Sequence, residues 1–357
     1  MPYPYSKTAT SCTVTEYASV SAAVASCTAI TLKSITVPAG DTLDLTKLKA
    51  GSKVTFSGTT TFEYVAEDFD PVKITGSGVE ITGDSSHVID GNGSAWWDGQ
   101  GSNGGTTKPD HFIVLSKLVA NSHVHGLNIK NWPTHCFQIT GAKDLIIENI
   151  YLDNSAGDAP NSKSGGKAAA HNSDGFDISS STNVVLRNSI VKNQDDCVAV
   201  TSGTNITVSG LTCSGGHGLS IGSVGGKSNN TVSGITFSDS TISNSENGAR
   251  IKTNSGTTGS VENIVYTNIK LSNISDYGID IQQDYLNGGP TGVPTNGVTI
   301  KGVTMSNITG TATSDAKNYY ILCGSGSCSD FTFNGISITG GTGDSCNYSP
   351  AGDFKCA

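Results

Sequence analysis

The chain has 357 residues, 44 of them Gly, with 14% charged and 35% apolar residues and a formal net charge of -9. That apolar fraction is too lean for a thick globular core, and the acidic balance excludes long-range capture of a polyanion, nucleic acid included. No linker or charge block divides the sequence, so residues 1–357 read as a single domain.

Neither a signal peptide nor a membrane span opens the chain, which reads as a mature protein with an added Met1. "TEYASVSAAVASC" follows, with Tyr17, Val20 and Val24 at helical spacing. It is predicted to be a short helix that caps the open end of a sheet. Trp96 and Trp97 in "GNGSAWWDG" read as a packed loop, and Cys136, between His135 and Phe137 in a strand pattern, as a buried small hydrophobe. His111, His123, His125 and His171 show no metal-ligand spacing. "NSAGDAPNSKSGGKAAA" at 154–170 reads as a mobile flank.

Short strands make up most of the rest. "GLNIKN", "LIIENIYLDN", "VVLRNSIV", "ITVSGLT", "ITFSDSTI", "NIVYTNIKLSNI", "VTIKGVTMSNI" and "YYILC" alternate apolar with small or polar residues between Gly, Asn, Ser and Asp. One strand type recurs as "GFDIS" at 175, "CVAV" at 197, "GLSIG" at 218, "GARIK" at 248 and "GIDIQ" at 278. Repeats of about 20 to 50 residues mark solenoids. All-strand turns of this length predict a right-handed parallel β-helix, whose coils stack about 4.8 Å apart. A β-sandwich needs no such period. Asn149, Asn188 and Asn268, at strand ends, suit left-handed corners and side-chain ladders.

The nine cysteines cluster as Cys12 with Cys27, Cys197 with Cys213, Cys323 with Cys328 and Cys346 with Cys356, leaving Cys136 alone. Sequence does not fix connectivity. Near-neighbour pairing is the simplest reading and implies an oxidising, extracellular compartment. Six N-x-S/T sequons, at Asn92, Asn205, Asn229, Asn273, Asn307 and Asn347, suit a secreted glycoprotein.

On coils of this length Asp174, the pair Asp195 and Asp196, and His217 fall on three consecutive turns, with Arg250 and Lys252 on the next. Carboxylates held close resist ionising together, so one keeps its proton while another stays charged. Glycosidic hydrolysis needs that division: an acid for the leaving oxygen and a base for the attacking water. Arg250 and Lys252 are two apart on a strand, point the same way and suit a substrate carboxylate.

"NSDGFD" at 172, "NQDDC" at 193, "GGHGLSIGSVGG" at 215 and "RIKT" at 250 resemble, in order and spacing, the four motifs of the fungal endo-polygalacturonases, glycoside hydrolases that cut the homogalacturonan of pectin. The likeness extends to "HVIDGNGSAWWDG", "KPDHFI", "NWPTHCF", "QQDYLNGGPTG" and the terminal cysteines. Ser173 departs from the Thr usual in the first motif but keeps the hydroxyl. The resemblance implies endo-acting, inverting hydrolysis of α-1,4-galacturonosyl bonds without metal or other cofactor. It assigns Asp195 as general acid, Asp174 and Asp196 to the water, and His217 to tuning the acid. It gives Arg250 and Lys252 the galacturonate carboxylates, Asn172 support of the water site, and Tyr285 a sugar contact. It further implies a secreted monomer that meets pectin and plant polygalacturonase-inhibiting proteins, with neither nucleic acid nor membrane as partner. Adjacent strands bring carboxylates to about 5 Å, below the roughly 6.5 to 9.5 Å usual for inversion.

Two alternatives share the fold. In a pectate lyase the Asp cluster would hold Ca²⁺ and Arg250 would abstract the proton. A non-catalytic carbohydrate-binding β-helix would release no new reducing ends.

Overall fold

Short parallel strands laid in register on one another account for most of the chain. The computed structural model describes residues 10–286 and 289–356; Met1, read above as an addition, and Asn287 and Gly288 of "QQDYLNGGPTG" lie outside the described residues. The predicted cap is present as α1 (Val20–Ser26), which buries Val20, Ala23 and Val24 against strands of the first coils. Tyr17 sits just outside it, in the 3-10 turn Tyr17–Ser19, and its hydroxyl donates to the Thr42 carbonyl at 2.8 Å. Among the described residues no helix is long and apolar enough to cross a membrane.

Among the described residues two sheets wrap the parallel β-helix. One has 12 strands: β1 (Leu43–Leu45), β2 (Val72–Ser77), β3 (His111–Val119), β4 (His135–Thr140), β5 (Phe176–Ser179), β6 (Val198–Val200), β7 (Leu219–Val224), β8 (Asn247–Asn254), β9 (Tyr277–Leu286), β10 (Gly289–Pro290), β11 (Lys317–Leu322) and β12 (Ser345–Cys346). Apart from β10, which returns antiparallel on β9, each strand pairs parallel with the one from the next coil. The other 21 strands form a second sheet around the remaining faces.

Alternation along these strands builds the core. Phe176, Val198, Leu219, Ala249 and Ile279 are successive partners pointing inward, as are Ile178, Val200, Ile221, Ile251 and Ile281, and all are buried. Each large aliphatic side chain among them contributes about 1.5–3 kcal/mol by leaving water. Phe137 and Phe176 stack face to face at 5.2 Å in the same column. The lean apolar content suffices because a coil needs only a thin core and borrows its neighbours' side chains above and below.

Corners are turned by left-handed residues, as expected of Asn149, Asn188 and Asn268, with φ of 55°, 52° and 55°. Their amides form ladders: Asn268 donates to Asp239 at 2.8 Å, and Asn307 donates to Asn268 at 2.9 Å. The four near-neighbour disulfides are all formed, and Cys136 is free and buried. Trp96 and Trp97 are buried, their indoles donating to the Val65 and Trp132 carbonyls.

Segment 154–170 overturns one expectation. It is tied down rather than mobile: Ala169 and Ala170 bury against Trp97, Asn161 donates to the Trp97 carbonyl, and Gly99 donates to that of Ala169. Its small residues, which read as flexible, allow close packing instead, and the segment walls one side of a groove.

Candidate active site

The outer face of the 12-stranded sheet floors a groove of about 1110 Å³ that gathers all eight residues singled out from sequence. Register decides how they meet. Phe176, Val198 and Leu219 are partners, so Asp174, Asp196 and His217, each two residues earlier, share one level across three coils, with Asp195 one step before Asp196. Three residues on, Asp177, Ala199, Ser220, Arg250 and Asp280 form a second row along β5 to β9.

Backbone staples fix the aspartates. Asn193 is buried, and its amide donates to the carbonyls of Ser173, Asp195 and Asp196 at 3.0, 2.9 and 3.0 Å. The Ser173 hydroxyl donates to Gln194 Oε1 at 2.7 Å and accepts from the Gln194 N–H at 2.8 Å, so the hydroxyl that Ser shares with Thr is the group in use. Gly216 lets the next coil pass close: a Cβ there would lie 2.2 Å from the Asp195 carbonyl oxygen, to which His217 donates its N–H at 2.8 Å. Asn172, in a left-handed turn with φ of 48°, donates to Asp195 Oδ2 at 3.2 Å, and Ser102 and Asn103 hold its own oxygen.

Three of the buried carboxylates have a cation close at hand. His217 Nδ1 lies 3.1 Å from Asp195 Oδ1, Lys252 Nζ donates to Asp196 Oδ2 at 2.8 Å, and Arg250 Nε donates to Asp280 Oδ2 at 3.0 Å. Lys252 and Arg250 also lie over the half-buried Tyr285 ring, at 5.3 and 5.6 Å. Lys252 is therefore engaged internally, a role its sequence assignment to a substrate carboxylate did not include.

Protonation follows from these pairs. Burial would raise Asp195, but the imidazolium of His217 and Lys252 hold its carboxyl well below the usual range. Burial disfavours the charge on His217, yet Asp195 and Glu246 hold its proton well above the ordinary imidazole value. Burial and the charges of Asp195 and Asp177 push Asp174 well up. Burial likewise raises Asp280, to about 6. The proton assigned to Asp195 from sequence thus rests here on its partner His217, and Asp174 is the carboxyl that favours protonation.

Asp195, Asp196 and His217 present ligand atoms within 4.8 Å of one another. They do not fit the calcium of the lyase alternative. Ca²⁺ takes six to eight oxygens, whereas Ser220 and Lys252 occupy the two Asp196 oxygens, and the Asp196 N–H and His217 converge on Asp195 Oδ1.

Sequence reading missed Asp177, Asp280, Ser220, His111 and His135. The first three were visible in the repeat, since the third letters of "GFDIS", "CVAV", "GLSIG", "GARIK" and "GIDIQ" align as the second row.

A solenoid groove floored by paired carboxylates and cations defines a hydrolase that works on a chain-like saccharide by acid–base catalysis. The sequence profile described as Glycosyl hydrolases family 28 matches residues 27–356, and the chain belongs to that family. It is 64% identical over 340 residues to the probable endopolygalacturonase D of Neosartorya fischeri, covering 95% of this chain and 72% of that one. It is 60% identical to a polygalacturonase of Fusarium fujikuroi, over 94% of this chain and 91% of that one. The solved structure of endopolygalacturonase I from Stereum purpureum complexed with two galacturonate superposes with a TM-score of 0.82 at 34% identity, covering 92% of this chain and 95% of that one.

Proposed function

We propose that the groove binds polygalacturonate as an extended chain and hydrolyses its α-1,4-galacturonosyl bonds at internal positions, with inversion. The observation that carries the reading is the Asp195 and His217 pair, 3.1 Å apart, with two further aspartates on the adjoining level. That pair holds one transferable proton. As substrate covers the groove and water leaves, separated charges lose to the neutral pair, so the proton moves from His217 to Asp195. Asp195 then gives it to the leaving glycosidic oxygen. Neutralising Asp195 removes a like charge beside Asp174, so the proton that Asp174 carries in the empty groove leaves to solvent as substrate binds, and Asp174 is a carboxylate when water attacks. Asp174 and Asp196 orient the water and take its proton as it attacks the anomeric carbon from the opposite face.

Arg250 grips a galacturonate carboxylate from the adjoining coil, Lys252 shares itself between that carboxylate and Asp196, and Tyr285 lies under the sugar. Asn172 holds Asp195 in place. The same reading takes the chain as one domain, because both sheets run on from coil to coil, and as a glycosylated extracellular monomer open to plant inhibitor proteins. Four near-neighbour disulfides support the oxidising compartment.

The test is polygalacturonate digestion followed by viscosity, reducing ends and ultraviolet absorbance, with and without chelator. Viscosity should halve while few bonds are cut, oligomers should precede monomer, and chelator should change nothing. Early galacturonic acid at constant viscosity would refute internal attack. Unsaturated, chelator-sensitive products would refute hydrolysis.

A further inference from the structure

Three buried carboxylates of the groove have a cation at 3.1 Å or less: Asp195, Asp196 and Asp280. Asp174, the most crowded by other acids, has none so close. Among the described residues, the cationic side chain in ion-pair range of it is His135, whose Nε2 lies 3.7 Å from Asp174 Oδ1.

His135 opens β4, the coil before Asp174. Its ring is clamped from the far side by Asp110: Nδ1 is 2.8 Å from the Asp110 carbonyl oxygen and 3.2 Å from Asp110 Oδ1. Nδ1 thus faces oxygens that only accept, and once Asp174 ionises Nε2 does too, which calls for two N–H groups, the imidazolium form. The ring stacks on His111 at 4.8 Å, and His111 spans Asp110 and Asp177 at 3.1 and 3.7 Å. The titratable groups around His135 are therefore Asp110, His111, Asp174 and Asp177, and those facing Asp174 are His135, Asp177, Asp195 and Asp196.

We infer that His135 is a positioning residue that holds a positive charge between Asp110 and Asp174 and so keeps Asp174 able to ionise and receive the proton of water. This rests on the role given to Asp174 above. Asp174 must bear charge beside two other carboxylates, and a cation in direct range lowers such a carboxyl by about 1–3 pH units. Burial opposes the charge on His135, but Asp174 and Asp110 hold its proton well above the ordinary value. Asp110 in turn is held well below the usual carboxylate range by His111 and His135.

The experiment is the pH profile of kcat/KM on polygalacturonate for wild type, His135→Gln, Asp110→Asn and Asp174→Asn. Gln keeps a donor toward Asp110 without the charge, so the acidic limb should move up by about one unit or more. Asp110 is half exposed, so its variant should fold readily; it leaves His135 charged and frees it for Asp174, so the same limb should move down, by less than it moves up in His135→Gln. Lowered activity with an unmoved limb in His135→Gln, or an unmoved limb in Asp110→Asn should the first variant not fold, overturns the inference. Near-normal turnover in Asp174→Asn would instead overturn the role of Asp174 itself.

Discussion

Asn193 offers a sharp test, because one buried amide ties three carbonyls on two coils. Its Nδ2 serves Ser173, Asp195 and Asp196, while its Oδ1 has no partner among the described residues. Two N–H groups shared by three acceptors are worth about 2–3 kcal/mol net. Asn193→Ala loses that and leaves a small cavity, but also removes the unpaired oxygen, which returns about 1 kcal/mol. The expected destabilisation is about 2–3 kcal/mol. Asn193→Asp keeps the shape and reverses the polarity, turning a carboxylate oxygen toward three carbonyl oxygens with no cation at hand. An uncompensated buried charge costs about 3–5 kcal/mol, to which the lost hydrogen bonds add. Aspartate should therefore be the worse replacement despite being isosteric.

Urea unfolding at neutral pH gives the ranking, wild type above Asn193→Ala above Asn193→Asp. Initial rates on polygalacturonate give the functional arm. Loosening the Asp195 and Asp196 backbone should lower kcat about 10- to 100-fold in the alanine variant with KM little changed. An aspartate variant at least as stable as the alanine variant would show that the amide does not hold the carbonyls in solution.

Asp195→Asn and Asp196→Asn should each abolish turnover with the fold intact, and only the first should be partly rescued by a substrate with a better leaving group; rescue of Asp174→Asn instead would move the acid to Asp174. Replacing both Cys197 and Cys213 by Ala opens a bridge of sequence separation 16, which should lower stability by about 3 kcal/mol in urea; an unchanged midpoint would deny the bridge a role in holding the row. Since Asp195 and Glu246 overcome burial to raise His217, its contribution to stability is full below the unfolded value of about 6.5 and is lost as pH rises through the folded value. The urea midpoint should fall on the alkaline side of that window, and less steeply in His217→Gln.

What could be read from the sequence depended on period. A coil-length repeat places side chains by arithmetic, so strand type and the gathering of the candidate residues on neighbouring coils followed from counting. Counting left the pair Asp195 and Asp196 undivided; register puts Asp196 on the level of Asp174 and His217, because each stands two residues before Phe176, Val198 or Leu219, which are partners. His111 and His135 escaped because the coils that carry them differ in length from those that follow, so neither histidine keeps the beat. Segment 154–170 was misread for a different reason: Gly, Ala and Ser signal flexibility only where nothing packs on them, and Trp97 does.

The placement of the bridges has a further consequence. A stack whose units touch only the units above and below is weakest at its two termini, where a unit has one neighbour instead of two, and it unravels from there as a zipper does. Cys12–Cys27 lies at the amino-terminal end and Cys346–Cys356 at the carboxy-terminal end, on the last strand of the floor. Oxidation therefore seals the ends from which unzipping would begin, while the central coils have two neighbours each and Cys197–Cys213 besides. In a reducing medium this chain should erode inward, with protection from hydrogen exchange lost first at the ends and last in the central coils.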